Sequence, residues 1–303
     1  MTDRSMDLTG FSIFIPTWNN LSYLKLCVES IREHSCLQHQ IIVHVNEGAD
    51  GTLDWVKSEG LDYTYSEKNI GVCLAMNSMR HLAKTNYIFF INDDMYVLPG
   101  WDKVLMDEVK SLPDNLFYLS GTMIQPHDKK DVGLCVNYGD SIETFQKERL
   151  LKEYRTLPYE DWQGATRPPT LVHRDIWDLV GGYSIEYSPG MYSDPDFTAK
   201  LLMVGVRHMK GLGNCRVYHF ETKTTTRIRK NNGAVQFLLK WGISNSTMRR
   251  YITRQGEKWS LRAQPHDLKT IKKKKGWAYI KALYYLALKG FGTCFDMTEL
   301  LGR

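Results

Sequence analysis

The sequence predicts an α/β fold, a parallel sheet with helices on its faces. Three observations carry that reading. Short apolar runs alternate with amphipathic stretches of helical period over the first hundred residues. The connections between them are short, which suits strands joined by crossover helices. Polar residues follow the apolar runs at Thr17 and Asn19, at Asn46 and Glu47, and at Asn92 to Asp94. In such sheets ligands bind at the C-terminal strand ends. A chain of 303 residues, 43% hydrophobic and 24% charged, can bury a core of this kind.

Each element follows from its local pattern. FSIFIP (11–16) is an apolar run ended by proline and reads as the first strand. Leu21, Leu24, Cys27, Val28 and Ile31 then fall at helical spacing. QIIVHV is the second strand, TLDWVKSEG a short helix closed by Gly60, and LDYTYS the third strand. Val72, Ala75, Met76, Met79 and Leu82 share one side of the next helix, and YIFFIN is the fourth strand. The second half is less regular. DNLFYLSGTMIQP suggests a strand, and 126–168 reads as loops around a helix at 141–154. TLVHRDIWDLVGG reads as strand then helix, stopped by Gly181 and Gly182. SDPDFTAKLLMVG opens a helix with Pro195 in its first turn and Ser193 or Asp194 as its cap. RVYHF is the last strand, and 233–255 a helix.

The net charge of +5 is unevenly spread. Residues 240–303 hold 14 Lys and Arg against 4 Asp and Glu, net +10, which leaves −5 for the rest. The acidic body argues against a nucleic-acid partner. Near the end, KTIKKKKGW precedes AYIKALYYLALKGFG, too short and too charged to span a bilayer but suited to an interfacial or docking helix. Its lysines read as a solvated helix end or, with Trp277 and the Tyr/Leu run, as contact with an anionic membrane through 269–291. Cys27, Cys36, Cys73, Cys135, Cys215 and Cys294 form no CxxC pair, which suggests free thiols and no zinc site. MTDRSMDLTG carries no signal peptide, so the expected location is cytoplasmic, peripheral at the inner membrane face.

The stretch NYIFFINDDMYV (86–97) poses the chemical question. A buried strand ends on two adjacent acids, which repel and are costly to desolvate. Mg²⁺ or Mn²⁺ would offset both costs, since it takes oxygen ligands, shares them with phosphates and stabilises a departing diphosphate. Alone, the pair suits a helix cap or solvated turn equally well. Its context adds a resemblance. FSIFIPTWNNLSYLKLCVESI, VNEGADGT, EKNIGVCLAMNSM and NYIFFINDDM, in that order, resemble the nucleotide-binding half of family 2 glycosyltransferases. GGYSIEYSPGMYSDPDFTAKLLMVG and VYHF resemble that family's acceptor segment and late histidine.

The resemblance implies a GT-A fold over 1–225, a Rossmann-like mixed sheet flanked by helices. The nucleotide-binding half spans about 11–98 and the acceptor half about 115–225, and a basic helical extension follows at 226–303. It implies inverting transfer of a sugar from a nucleotide-diphosphate donor, a UDP-sugar as first expectation, to a glycan or lipid-linked glycan, with Mn²⁺ or Mg²⁺. By position, Pro16, Thr17 and Asn19 meet the nucleotide. Asn46 and Glu47 meet base or ribose where the family has acids. Asn69, Gly71 and Asn77 belong to the loop and helix that close over the base. N-D-D stands for D-x-D: Asn92 replaces the first acid, Asp93 meets ribose or donor sugar, and Asp94 is the metal ligand. His219 completes the metal site, or is a core histidine at a strand end. Ser193-Asp194 replaces the family's Glu-Asp, with Asp194 as general base and Asp196 as the alternative base. Trp162, Tyr183, Tyr187 and Tyr192 either stack on the acceptor sugar or pack under a long loop. A dinucleotide enzyme would need G-x-G-x-x-G where the chain has PTWNNLSY. A non-catalytic sugar-nucleotide or glycan binder on the same fold remains the alternative, because of the N-D-D and Ser-Asp departures.

Overall fold

The computed structural model describes residues 9–127, 132–222, 232–261 and 268–289. Cys294 and the last two residues of the 269–291 stretch lie outside them. The first four strands are β1 (Ser12–Trp18), β2 (Gln40–Asn46), β3 (Asp62–Ser66) and β4 (Tyr87–Phe90). They lie in parallel in the order β3-β2-β1-β4, joined by α1 (Leu21–His34), α2 (Thr52–Ser58) and α3 (Gly71–Met79). Pro16 is tolerated inside β1 because β4 pairs only with Ser12 to Phe14, so the missing N–H lies where that edge is open.

The chain continues through β5 (Met95–Val97), α4 (Trp101–Ser111), β6 (Phe117–Gln125), β7 (Leu134–Cys135), α5 (Lys147–Glu153), β8 (Trp162–Gln163), β9 (Thr170–His173), α6 (Arg174–Val180), α7 (Ser193–Met203) and β10 (His208–His219). The full sheet order is β3-β2-β1-β4-β9-β6-β10-β5, with β7 beside β6 and β8 beside β10. The sheet is mixed, as the resemblance implies, and the parallel reading of the strand–helix alternation holds for β1 to β4. β9 runs antiparallel to both β4 and β6, and β5 antiparallel to β10. The β6-to-β9 connection carries β7, α5 and β8, and β9 then enters between β4 and β6 with its direction reversed.

Alternation along the strands builds two apolar layers. Ile13, Ile15, Val43, Val45 and Phe89 face α1 and α4, where Leu24, Val28, Trp101 and Leu105 are buried. Phe14, Ile42, Ile88 and Phe90 face the other layer, with Met76, Trp177 and Phe197. The helix read at 233–255 is interrupted at Gly242, whose φ of 66° ends α8 (Gly233–Trp241). α9 (Asn245–Thr247) and a wide turn, Met248–Ile252, follow. Phe237 and Met248 are buried in the second layer, so this segment packs into the body. α10 (Leu268–Lys289) lies against α8. Among the described residues no helix is long and apolar enough to cross a membrane.

Candidate active site

The site forms where strand ends converge. β4 runs into a turn closed by the Met95 N–H donating to the Asn92 carbonyl at 3.2 Å. β5 then pairs with the end of β10, placing Met95 opposite His219. That register brings Asp94 beside His219, with Asp94 Oδ1 3.3 Å from His219 Nε2. Asp94 Oδ2 accepts from the Thr222 N–H at 2.8 Å and its hydroxyl at 2.9 Å. Burial raises the Asp94 pKa, but the His219 charge and the hydrogen bonds from His219 and Thr222 outweigh it, so the carboxyl stays below its ordinary range. Asp93 is held separately. Its Oδ2 accepts from the Thr17 hydroxyl at 2.7 Å, which ties the end of β4 to the end of β1.

A second carboxylate stands at the start of α7. Tyr192, at φ 72°, precedes the helix, and neither Ser193 nor Asp194 caps it. Instead Ser193 Oγ donates to the Gly190 carbonyl at 2.6 Å. Half-buried Asp194 accepts from the Tyr183 hydroxyl at 2.9 Å. Tyr183 is buried, stacked on Phe197 at 4.9 Å, and gripped by the Asn77 amide. That amide donates to the Tyr183 carbonyl at 2.7 Å and accepts from its N–H at 2.8 Å. Burial pushes the Asp194 carboxyl up to about 6, against the lowering by Tyr183 and Arg167. Such a group is ionised at neutral pH yet basic enough to take a hydroxyl proton.

The structure redirects several residues read from the sequence. Asn46 is buried, and its amide is spent inside the fold. Its Nδ2 donates to the Thr17 carbonyl at 3.2 Å, and its Oδ1 accepts from the Ile70 N–H at 2.9 Å and the Ser66 hydroxyl at 3.2 Å. It knots three strand ends to the 67–71 loop. Asn77 likewise serves Tyr183. Asn69 turns its Oδ1 onto the Gly71 N–H at 2.8 Å. Gly71, at φ 76°, lets α3 approach Pro189, where a Cβ would lie 2.6 Å from Pro189 Cα. Asn19 and Glu47 pair with each other at 3.0 Å. Asp196 is fully buried, its Oδ1 bonded to Trp241 Nε1 at 2.8 Å and Lys240 Nζ at 2.9 Å, so it faces the interior rather than an acceptor. Trp162 is also core: its Nε1 donates to the Thr122 hydroxyl at 3.0 Å and its ring covers Gly211. Tyr187 is buried and Tyr192 only half-buried.

Two partners were not read from the sequence. Thr222 follows His219 closely enough that the rule of polar residues after strands extends to it. Tyr183 as the donor to Asp194 had no local signal, since the two meet through tertiary packing. Backbone strain marks the same region. Among the described residues five non-glycine residues have positive φ, and Asn19, Glu47, Tyr192 and Glu221 are the four that flank these strand ends and α7.

The donor set suits a divalent ion. Two adjacent ligands of one octahedral Mg²⁺ or Mn²⁺ lie about 3 Å apart, close to the 3.3 Å between Asp94 Oδ1 and His219 Nε2. Among the described residues no group of three or more His, Cys, Asp or Glu can hold a metal. The pair therefore suits an ion that substrate oxygens and water complete, not an all-protein cage.

Fold and site together define a GT-A glycosyltransferase architecture. It resembles S. aureus TarS 1–349 (TM-score 0.56, 13% identity, 96% of this chain and 77% of that one), solved also with UDP-GlcNAc. It also resembles GalNAc-T7, solved with UDP, GalNAc and Mn²⁺ (TM-score 0.56, 14% identity, 94% and 59%). The chain belongs to glycosyl transferase family 2, whose model matches residues 12–163. It is 22% identical over 233 residues to a chondroitin synthase of Escherichia coli, covering 73% of this chain but spanning only 31% of that protein.

Proposed function

We propose that this chain is an inverting, metal-dependent glycosyltransferase that moves a sugar from a UDP-sugar to a hydroxyl of a glycan or lipid-linked glycan. The observation that carries the reading is two differently tuned carboxylates, Asp94 in the turn after β4 and Asp194 at the start of α7, whose partner Tyr183 packs on Phe90 at the end of β4. Asp94, beside His219, is held ionised, and Asp194, under Tyr183, is poised as a base. In this reading Asp94 and His219 would hold Mn²⁺ or Mg²⁺, which would supply charge stabilisation to the leaving diphosphate. Thr17 keeps Asp93 oriented toward the donor. Asp194 takes the proton from the acceptor hydroxyl as that oxygen bonds to the anomeric carbon and the bond to diphosphate breaks. Tyr183 steadies the carboxylate for that transfer. The UDP- and UDP-sugar-bound structures of the fold relatives support the donor class.

A thermal-shift screen of nucleoside diphosphates with and without Mn²⁺ tests donor and metal together. At a concentration about a hundred times Kd, the matching nucleotide should add about 2.7 kcal/mol. UDP-sugar hydrolysis should vanish in Asp94→Ala. Transfer should vanish in Asp194→Asn while nucleotide binding survives. Binding without turnover for every donor and acceptor would instead favour the non-catalytic binder.

A further inference from the structure

The last described helix shows a surface that the donor chemistry does not use. α10 holds seven lysines and no acid between 268 and 289. At 100° per residue, Tyr279, Leu283, Ile280, Tyr284 and Trp277 fall within one arc of about 160°. All five are exposed, from 50% for Leu283 to 65% for Tyr279. Ala278, on the opposite side, is buried, and half-buried Ala282, Tyr285 and Leu286 flank it. The helix is thus apolar on two sides, one against the body and one facing out. Lys272, Lys273, Lys274 and Lys275 are exposed and step around a full turn just before Trp277.

We propose that α10 docks this chain on an anionic phospholipid bilayer, the outward arc entering the interface and the lysine turn meeting the headgroups. Trp and Tyr beside Ile and Leu are the side chains an interface accepts, and lysine stems can lie along the apolar region while their ammonium groups reach phosphate. Charge selects among occupants. A second copy would bring seven lysines against seven with no acid in the helix to offset them. Lys272 and Lys273 fall within the same arc as the five apolar side chains, so one side of the helix offers both charge and apolar contact to a plane of diffuse negative charge. The surface would hold the enzyme where lipid-borne acceptors are found, but the docking itself does not depend on what the active site transfers.

The test is flotation of the full chain with vesicles of phosphatidylcholine alone and with about one third phosphatidylglycerol. Binding to the anionic vesicles is expected to exceed that to neutral ones by about ten-fold or more, and to fall in high salt. Replacing Lys272 to Lys275 together by Gln should remove the preference for anionic lipid. Ile280→Ser with Leu283→Ser should weaken binding about ten-fold or more. Both variants should keep the wild-type melting midpoint and nucleotide response, which separates this result from any failure of the proposed reaction. Equal binding to both vesicle types would overturn the proposal. So would no binding, indifference to Ile280→Ser with Leu283→Ser, or a dimer in solution that those changes dissolve.

Discussion

Asp194 is the residue whose surroundings are most at odds with a merely structural role. Its raised carboxyl stabilises the fold fully below the unfolded value of 3.8, and that contribution is lost as pH rises through about 6. At neutral pH the ionised form is therefore kept at a cost to stability. Asp194→Asn should gain about 1–3 kcal/mol above neutral pH, discounted for partial exposure, and little in acid, read as the difference in melting midpoint across pH. The same ionisation sets the predicted rate profile. With Asp194 as the proposed base, the active form is the carboxylate, so kcat/KM should rise with pH to a plateau through about 6. Tyr183→Phe removes a hydrogen bond that favours the carboxylate, and should move that limb upward by about half to one unit. An unmoved limb would mean that Asp194 is not the titrating base. On the metal side, His219→Ala should weaken Mn²⁺ binding about ten-fold or more and leave nucleotide binding without metal unchanged, measured by titration calorimetry.

At the scale of elements, registers rather than motifs assemble the site. Met95 opposite His219 delivers Asp94, and the Asn77 amide of α3 delivers Tyr183 across more than a hundred residues. Asn77→Ala leaves two main-chain groups of Tyr183 unpaired and should cost about 2–3 kcal/mol, seen as a lower denaturation midpoint, together with the raised acid limb of Tyr183→Phe. If stability fell but the limb did not move, the clamp would be structural only. The first four strands and three helices were legible because each carries its own period, and some their own stop, such as Gly60 after α2; β1 runs two residues past Pro16, the stop read from the sequence. The acids at the end of β4 were legible because a buried strand has no local reason to end on them. β5 and α4 were missed: the one is three residues long, and the other begins behind a glycine with no polar cap. The antiparallel entry of β9, the core position of Trp162 and the interior partners of Asp196 depend on contacts distant in sequence, which no local pattern encodes.

The whole molecule does not divide where the charge changes sign. The basic balance begins near residue 240, yet α8 is fastened to the body at residues 184–196. Lys240 Nζ reaches Glu186 Oε1 at 2.7 Å, Asp196 Oδ1 at 2.9 Å and Ser184 Oγ at 3.0 Å, and Gln236 donates to the Glu186 carbonyl at 2.8 Å. Phe237 is fully buried among the residues that also enclose Tyr183 and Phe197. A chain cut after residue 225 therefore loses apolar cover from the layer that holds Tyr183 and Phe197. It also leaves Asp196 buried with neither Trp241 nor Lys240, a penalty of several kcal/mol. A cut after residue 261 keeps α8 and takes away α10, whose buried contact centres on Ala278. The shorter chain is expected not to fold, or to melt without a cooperative transition. The longer one should keep the wild-type midpoint within a few degrees and its nucleotide response. Phe237→Ala in the full chain is the milder form of the same experiment and should cost about 3–5 kcal/mol. If the chain cut at 225 melted cooperatively and bound nucleotide as the full chain does, α8 would be an appendage, and the catalytic body would end with β10 and Thr222.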